Sequence, residues 1–361
     1  MKMKTANIIT IHVGPNFGSN LQTIATCDVL KKLGIESTVI NYIPPRATWK
    51  RFWKDSFNPL VLLKRLYRLP NRLKNNMIYE GFLDSHCNVT KPIYSEDEFE
   101  KFCPKANFYV TGSDQVWNIK HNEGIDTHYF WEGIDGQKIA FASSIGNNDL
   151  TEEEKKVMPK YLSKYKAISV REDSAKELLA SIGIVSTHVL DPTFMLNRNE
   201  WQKYAAPRIV KVPYLLVYLP YNIADKDLIF KSIRKISNNK NLKVVTFSWG
   251  YHNDKYADET IKWASPGDFL SLMTHADYVV TNSFHGTAFS INLNKQFWAY
   301  LPSAFTTRVT SIMDLCGVSD RRLDSEITDS QIDEIINYEP VNKILDAERQ
   351  KAFDFLNKAL S

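Results

Sequence analysis

The segment best suited to chemistry runs from Tyr278 to Phe289, with His285 near its centre. An apolar run ending at Thr281 is followed by a polar turn, a glycine at 286 and a second apolar stretch. This order predicts a strand, a turn and a helix.

Such a turn directs backbone N–H groups and the positive end of the helix towards an anion. Gly286 would let the backbone approach a ligand closely. His285 can donate a hydrogen bond to phosphate or move a proton near neutral pH. The alternative is a structural histidine at a helix start.

A second polar segment follows the apolar run that ends at Thr111. It contains Ser113, Asp114 and Gln115, at the end of a predicted strand, where open α/β sheets bind ligands. The alternative is a capped helix start, with Ser113 or Asp114 as the N-cap residue.

Arg171 closes another apolar run and offers a planar guanidinium group that suits a carboxylate or a phosphate. The alternative is an ion pair with Glu172 or Asp173. Asp191 closes a further strand, ahead of a proline, and is also compatible with a simple turn.

Short β-branched runs alternate with helical stretches along the chain, which is typical of parallel α/β units. We predict a first helix that begins in the turn 14–19 and ends at Gly34. The predicted strands are Ile8–Val13, Ser37–Tyr42, Phe108–Thr111, Ile139–Ser143, Ala167–Val170, Thr187–Leu190, Tyr214–Leu219, Leu242–Phe247, Tyr278–Thr281 and Gln296–Tyr300. The fold class is therefore α/β with two Rossmann-like domains, and the boundary lies near 197–213.

The amino-acid composition of the chain limits which classes of partner it can have. The chain has 361 residues, which suggests two domains, and its 45 basic and 41 acidic residues give a net charge of +4. That balance is too mild for nucleic acid as the main partner. The four cysteines and eight histidines show no spacing typical of a metal site, so we expect no metal. No apolar run is long enough to span a bilayer and no signal peptide is visible, so we expect a cytoplasmic protein.

The segment 46–74 departs from this pattern, because it contains nine basic residues and one acid, Asp55. Aromatic and aliphatic residues alternate with them, including Trp49, Trp53, Phe57 and Tyr67. One interpretation is an interfacial segment that contacts the inner leaflet of the plasma membrane. The other is a helical insertion whose apolar face packs on its domain while its charges are solvated.

Taken together, five motifs occur in the order seen in the polysaccharide pyruvyl transferase family, which this chain therefore resembles from about residue 7 to 297. The motifs are Asn16-Phe17-Gly18-Ser19-Asn20-Leu21-Gln22, Gly112-Ser113-Asp114-Gln115-Val116-Trp117-Asn118, Ser169-Val170-Arg171-Glu172, Asp191-Pro192-Thr193 and Ser283-Phe284-His285-Gly286-Thr287.

The resemblance implies a GT-B-like architecture with the active site in a cleft between the domains. Residues 1–197, with the insertion 46–74, would form the acceptor side. Residues 198–361 would form the donor side, with a last helix able to pack back on the N-terminal domain. The donor would be phosphoenolpyruvate, with no other cofactor, and the acceptor a sugar or lipid-linked glycan. The product would be a pyruvate ketal on a surface polysaccharide.

We assign His285 and Asp114 as catalytic residues under this hypothesis. The substrate-binding residues are Arg171, Ser283, Phe284, Gly286, Thr287, Asn16, Gly18, Ser113, Gln115 and Arg308. Many family members carry an arginine two residues before the motif histidine, where this chain has Ser283. Arg171, Arg308 and the helix start at Gly286 are the candidates to replace that charge. The alternatives are a GT-B-type glycosyltransferase that uses a nucleotide sugar and a glycan-binding protein without catalysis.

Overall fold

The computed structural model describes residues 3–54, 58–250, 253–301 and 306–361. Two residues of the segment 46–74 that the sequence singled out, Asp55 and Phe57, lie outside this part of the chain. The chain divides into two compact units. The N-terminal unit extends to Met195 and also includes Arg349–Ser361, and the C-terminal unit is Leu196–Glu348.

Within the described residues, the N-terminal unit contains a seven-stranded parallel sheet with the strand order β3-β2-β1-β4-β5-β6-β7. The strands are β1 (Lys4–Ile9), β2 (Ile35–Val39), β3 (Asn88–Val89), β4 (Phe108–Thr111), β5 (Gln137–Ser143), β6 (Tyr165–Val170) and β7 (Thr187–His188). The helices are α1 (Phe17–Lys32), α2 (Trp49–Phe52), α3 (Pro59–Asp84), α4 (Glu96–Phe102), α5 (Ile119–Asn122), α6 (Glu152–Leu162) and α7 (Asp173–Ser181).

The C-terminal unit contains a five-stranded parallel sheet in its described residues, with the order β10-β9-β8-β11-β12. The strands are β8 (Tyr214–Tyr218), β9 (Lys243–Ser248), β10 (Glu259–Lys262), β11 (Tyr278–Thr281) and β12 (Gln296–Ala299). The helices are α8 (Arg198–Trp201), α9 (Lys226–Lys240), α10 (Pro266–His275), α11 (Phe284–Asn292), α12 (Thr306–Leu315), α13 (Asp329–Asp333) and α14 (Tyr338–Ala359).

The last helix, α14, begins in the C-terminal unit, and its residues from Arg349 onward belong to the N-terminal unit. At this end of the chain, Lys4 Nζ donates to the carbonyl of Leu360 at 2.7 Å. The end of the chain is therefore hydrogen-bonded to β1.

All ten predicted strands are present, two with the predicted bounds and eight with shifted ends. The largest shift is in the first strand, which runs over Lys4–Ile9 rather than Ile8–Val13. Residues 10–13 lie past the sheet because the Thr10 and His12 side chains bind other loops there. Two strands were not predicted, β3 and β10, because neither contains the apolar run of a buried strand. The first helix has the predicted end, with Gly34 at φ +72° behind Lys32.

Both sheets change strand order beside their first strand, between β1 and β4 and between β8 and β11. In open α/β sheets, ligands bind outside the carboxyl ends of the strands at such a switch point. Each sheet therefore has one preferred place for a site. No helix in the described part of the chain is long and apolar enough to cross a membrane.

Candidate active site

The switch point of the N-terminal unit contains Asp114, which follows β4. Its carboxylate accepts a hydrogen bond from Ser19 Oγ at 2.7 Å, from the backbone N–H of Gln115 at 2.9 Å and from the Arg171 guanidinium at 3.3 Å. The Asp114 backbone has φ +75°, a conformation that non-glycine residues rarely adopt. Such strain is typical of functional sites, where the surrounding contacts hold it in place.

Arg171, at the end of β6, is surrounded by three carboxylates. Its guanidinium donates to Asp191 at 2.7 Å, to Glu172 at 3.1 Å and to Asp114 at 3.3 Å, and it also reaches Ser113 Oγ at 3.2 Å. The Arg171 side chain is 0% exposed. Burial disfavours its charged form, but Asp191, Glu172 and Asp114 outweigh that cost and raise the pKa of Arg171.

The sequence left two interpretations of Arg171 open, a donor ligand or an ion pair with Glu172 or Asp173. The structure shows the ion pair with Glu172, and Asp191 and Asp114 are further partners. Ser113 adds a second connection, because its hydroxyl donates to Asp191 at 2.9 Å. Arg171 therefore links Asp114 to Asp191, Glu172 and Ser113 in one buried hydrogen-bond network.

The first turn of α1 lies against the same cluster. Asn16 is the N-cap residue, and its side chain accepts from the N–H of Ser19 at 3.2 Å. Gly18 is buried in this turn. The turn therefore places the Ser19 hydroxyl on Asp114.

The switch point of the C-terminal unit contains the predicted strand, turn and helix. Ser283 is the N-cap residue of α11, and its hydroxyl accepts from the N–H of Gly286 at 3.4 Å. Asn282 accepts from the N–H of Tyr221 at 3.3 Å and donates to the Tyr221 carbonyl at 2.9 Å. These bonds connect the chain after β8 to the turn after β11. His285 and Thr287 follow in the first turn of α11, and both are buried.

Gly286 also has a packing role that was not predicted. A Cβ atom at this position would lie 2.1 Å from Thr281 Oγ1 and 3.0 Å from the Tyr218 ring. The missing side chain therefore allows α11 to pack against β11 and β8. The close approach of the Gly286 backbone to a ligand, which the sequence indicated, stays a prediction.

Arg308 lies at this turn as well. It projects from α12, is buried, and places its guanidinium carbon 5.6 Å from the centre of the Phe284 ring. Phe284 in turn contacts His285, with ring centres 5.1 Å apart. Many family members carry an arginine where this chain has Ser283, and Arg308 is one of the three candidates to replace its charge. Arg308 belongs to the same unit as the motif and lies next to Phe284.

The predicted site residues thus form two clusters. One contains Asn16, Gly18, Ser113, Asp114, Gln115 and Arg171, and the other contains Ser283, Phe284, His285, Gly286, Thr287 and Arg308. Ser19, Asn282 and Tyr218 also belong to these clusters but were not predicted as site residues. Ser19 could have been found because it lies within a family motif. Asn282 and Tyr218 lie at strand ends beside the switch point, and this position can be recognised only when the strand order is known.

The sequence matches the family described as "Polysaccharide pyruvyl transferase" over residues 16–303. The chain belongs to this family. The family membership inferred from the five motifs is therefore confirmed. No curated protein matches the sequence significantly.

Several solved structures are similar to this polysaccharide pyruvyl transferase family member. The S. aureus MnaA–UDP co-structure has 11% identity and a TM-score of 0.50, covering 99% of this chain and 91% of that chain. A UDP-GlcNAc 2-epimerase from Methanocaldococcus jannaschii has 13% identity and a TM-score of 0.48, covering 95% and 92%. The glycotransferase of kitacinnamycin has 11% identity and a TM-score of 0.47, covering 100% of both chains.

At these identities, the likeness concerns the fold alone. The predicted α/β fold with two Rossmann-like domains is confirmed. The cleft between the domains, the acceptor and donor sides and the roles of the site residues stay predictions.

Proposed function

We propose that this protein transfers a pyruvyl group from phosphoenolpyruvate to two hydroxyls of a sugar, forming a pyruvate ketal on a surface polysaccharide. The family match supports the transferase class. The observation that carries the donor assignment is the motif turn at the C-terminal switch point, where the start of α11, His285 and the cation of Arg308 lie together. A helix start next to a cation suits an anion with a carboxylate and a phosphate.

The chemistry is addition to an enol. A proton is added to the methylene carbon of phosphoenolpyruvate, which creates an oxocarbenium-like centre that one sugar hydroxyl attacks. Phosphate leaves, a second hydroxyl attacks the same carbon, and both hydroxyl protons pass to bases. The site therefore needs cations, an acid and a base.

His285 would bind the donor phosphate and supply the proton, since imidazole can do both near neutral pH. Asp114 would accept hydrogen bonds from the acceptor hydroxyls, because three donors orient its carboxylate. Arg171 takes a positioning role in this proposal. The buried contacts of its guanidinium with three carboxylates favour that role over direct contact with the donor.

The direct test incubates the protein with phosphoenolpyruvate and a galactose-type or mannosamine-type acceptor. We expect free phosphate and a product heavier by one pyruvyl group, detected by mass spectrometry. Turnover with a nucleotide sugar and none with phosphoenolpyruvate would favour the glycosyltransferase. Sugar binding without turnover of either donor would favour the glycan-binding protein.

Variants at His285 separate its two roles. His285→Ala should lower turnover, because both roles act in the transition state. His285→Gln retains a hydrogen bond but cannot deliver a proton, so a near-normal rate would leave His285 as a ligand only. His86→Gln is the matched control, since His86 is exposed and belongs to the N-terminal unit.

We also propose that α3 contacts the inner leaflet of the plasma membrane, where a lipid-linked acceptor would reside. Large apolar side chains on this helix are exposed: Leu60 is 70% exposed, Leu63 63% and Tyr67 81%. Lys64, next to Leu63, and Arg68, next to Tyr67, are exposed as well. This exposure supports the interfacial interpretation of the segment 46–74 over an apolar face packed on the domain.

Liposome co-sedimentation tests this contact. Binding should rise with the fraction of anionic lipid and fall with salt, since each basic residue near the surface contributes about 1 kcal/mol. Leu63→Ser with Tyr67→Ser should weaken it. Val185→Ser is the control, because Val185 is 91% exposed and lies outside α3. Equal, negligible binding to neutral and anionic vesicles would contradict the proposal.

A further inference from the structure

A cavity of about 440 Å³ lies beside the carboxyl ends of β1 and β2 in the N-terminal unit. Its polar lining includes His12 after β1, Asn41 after β2, and Asn76, Glu80 and Asp84 from the last turns of α3. We call it the His12 cavity. None of these five residues belongs to the family motifs described above. The volume is in the range of small-molecule sites, which measure about 300–1,000 Å³.

The His12 ring is a fixed wall of this cavity. It is buried, and each ring nitrogen lies 3.1 Å from an oxygen, Nδ1 from the Thr10 carbonyl and Nε2 from Asn41 Oδ1. Burial lowers the pKa of His12, and a neutral imidazole donates its single N–H to one of these two oxygens. Thr10 also donates its hydroxyl to the Ser113 carbonyl at 2.7 Å. Thr10 therefore contacts both His12 and Ser113, the residue that precedes Asp114.

Glu80 and Asp84 lie one turn apart on α3, and both line the His12 cavity. Two carboxylates at this spacing repel each other and slightly destabilise a helix. Both side chains are exposed to solvent in part, and the partial desolvation of Glu80 and the charge of Asp84 raise the pKa of Glu80. Such a pair suits a ligand with several hydroxyl donors. The amides of Asn41 and Asn76 offer donors and acceptors on the same cavity wall.

The cavity also has apolar surface, from Tyr79 and Leu83, which are both buried. The C–H faces of a sugar ring pack against such side chains, while its hydroxyls require polar partners. The charged groups of the lining have both signs, because the two carboxylates are accompanied by Lys91, and groups of either sign can bind sugar hydroxyls. The lining therefore matches a polyhydroxylated, uncharged ligand.

We propose that the His12 cavity binds the sugar of the acceptor, with Glu80, Asp84 and Asn76 as its hydroxyl-binding residues. This inference rests on the proposed pyruvyl transfer and identifies the surface that receives its second substrate. It is also compatible with the proposed membrane contact of α3, because the two proposals concern different parts of this helix. Its first turns carry the exposed apolar residues that would contact lipid, and its last turns line the sugar cavity.

The test uses methyl β-D-galactopyranoside and N-acetylmannosamine as probes. Their binding is followed by saturation-transfer NMR, and their KM values are measured in the transfer assay. Glu80→Gln and Asp84→Asn should each raise the acceptor KM about tenfold, which is the loss expected for a hydrogen bond to a charged group. The KM for phosphoenolpyruvate should change less than twofold. Asn76→Trp, which fills the cavity, should abolish the NMR signal.

Glu177→Gln is the matched control, since Glu177 is an exposed glutamate on α7 outside the cavity. Unchanged acceptor KM and NMR signals in all three cavity variants would overturn the proposal, and so would a wild-type protein that binds neither probe. Probe binding that Asn76→Trp abolishes, without transfer from phosphoenolpyruvate, would support the cavity and refute the proposed reaction. The two hypotheses therefore fail in different ways.

Discussion

Replacing Arg171 by methionine tests whether this residue positions Asp114 or binds the donor directly. The substitution keeps the length of the side chain and removes the cation from three carboxylates, whose oxygens lie 2.7, 3.1 and 3.3 Å from the guanidinium nitrogens. The side chains of Asp191 and Glu172 are only 0% and 4% exposed, so water cannot replace the lost partner. Breaking such a buried pair costs about 3–5 kcal/mol.

A loss of that size is a large part of the 5–15 kcal/mol that stabilises a typical domain. We expect the unfolding temperature to fall on the order of 10 °C, measured by circular dichroism, with a matching loss in urea denaturation. Arg234→Met is the control. Its ion pair with Asp258, at 3.4 Å, joins side chains that are 48% and 42% exposed, so the loss should stay below about 1 kcal/mol.

The donor-ligand interpretation predicts the opposite pattern. In that case Arg171→Met would unfold within about 0.5 kcal/mol of the wild type, while the KM for phosphoenolpyruvate would rise tenfold or more. That result would refute the positioning role.

Two further predictions concern the C-terminal unit. Gly286→Ala should lower the free energy of unfolding by about 1–3 kcal/mol, because its Cβ would lie 2.1 Å from Thr281 Oγ1. Gly81→Ala is the control and should not lower it, because nothing lies within 4 Å of the new Cβ. Equal urea midpoints for the two variants would show that the first turn of α11 can shift. Burial lowers the pKa of Lys295 to about 8, below its ordinary 10.5, so the unfolded chain binds more protons between these values and stability should rise with pH there. Lys295→Met should remove about 2 kcal/mol of the rise between pH 7 and 9.5, and an unchanged rise would mean that Lys295 titrates normally.

The sequence allowed the strand series and the places of the motifs to be predicted, because buried parallel strands appear as apolar runs and ligand loops follow their carboxyl ends. The β4 and β11 predictions match the structure residue for residue. The two unpredicted strands, β3 and β10, lie at the sheet edges. Their stability comes from pairing with a neighbour rather than from an apolar sequence of their own.

The partners of the site residues could not be predicted in the same way. The sequence indicated Glu172 as a partner of Arg171 because the two are adjacent. The shortest contact, however, is with Asp191, twenty positions further along the chain. That proximity depends on β6 and β7 being neighbours in the sheet, which the sequence pattern does not specify.

Gly286 shows the same limit on a smaller scale. The residue type indicated a close approach of the backbone to a ligand, whereas the contacts that the structure shows for this backbone are with Thr281 and Tyr218. Thr281 is a near neighbour in sequence, but Tyr218 comes from β8, which lies beside β11 only because the strand order changes there. A motif therefore identifies where the chain is constrained, and the sheet order determines which atoms impose the constraint. The same order places Asp114 beside β1, next to the Thr10–His12 segment on which the acceptor proposal depends.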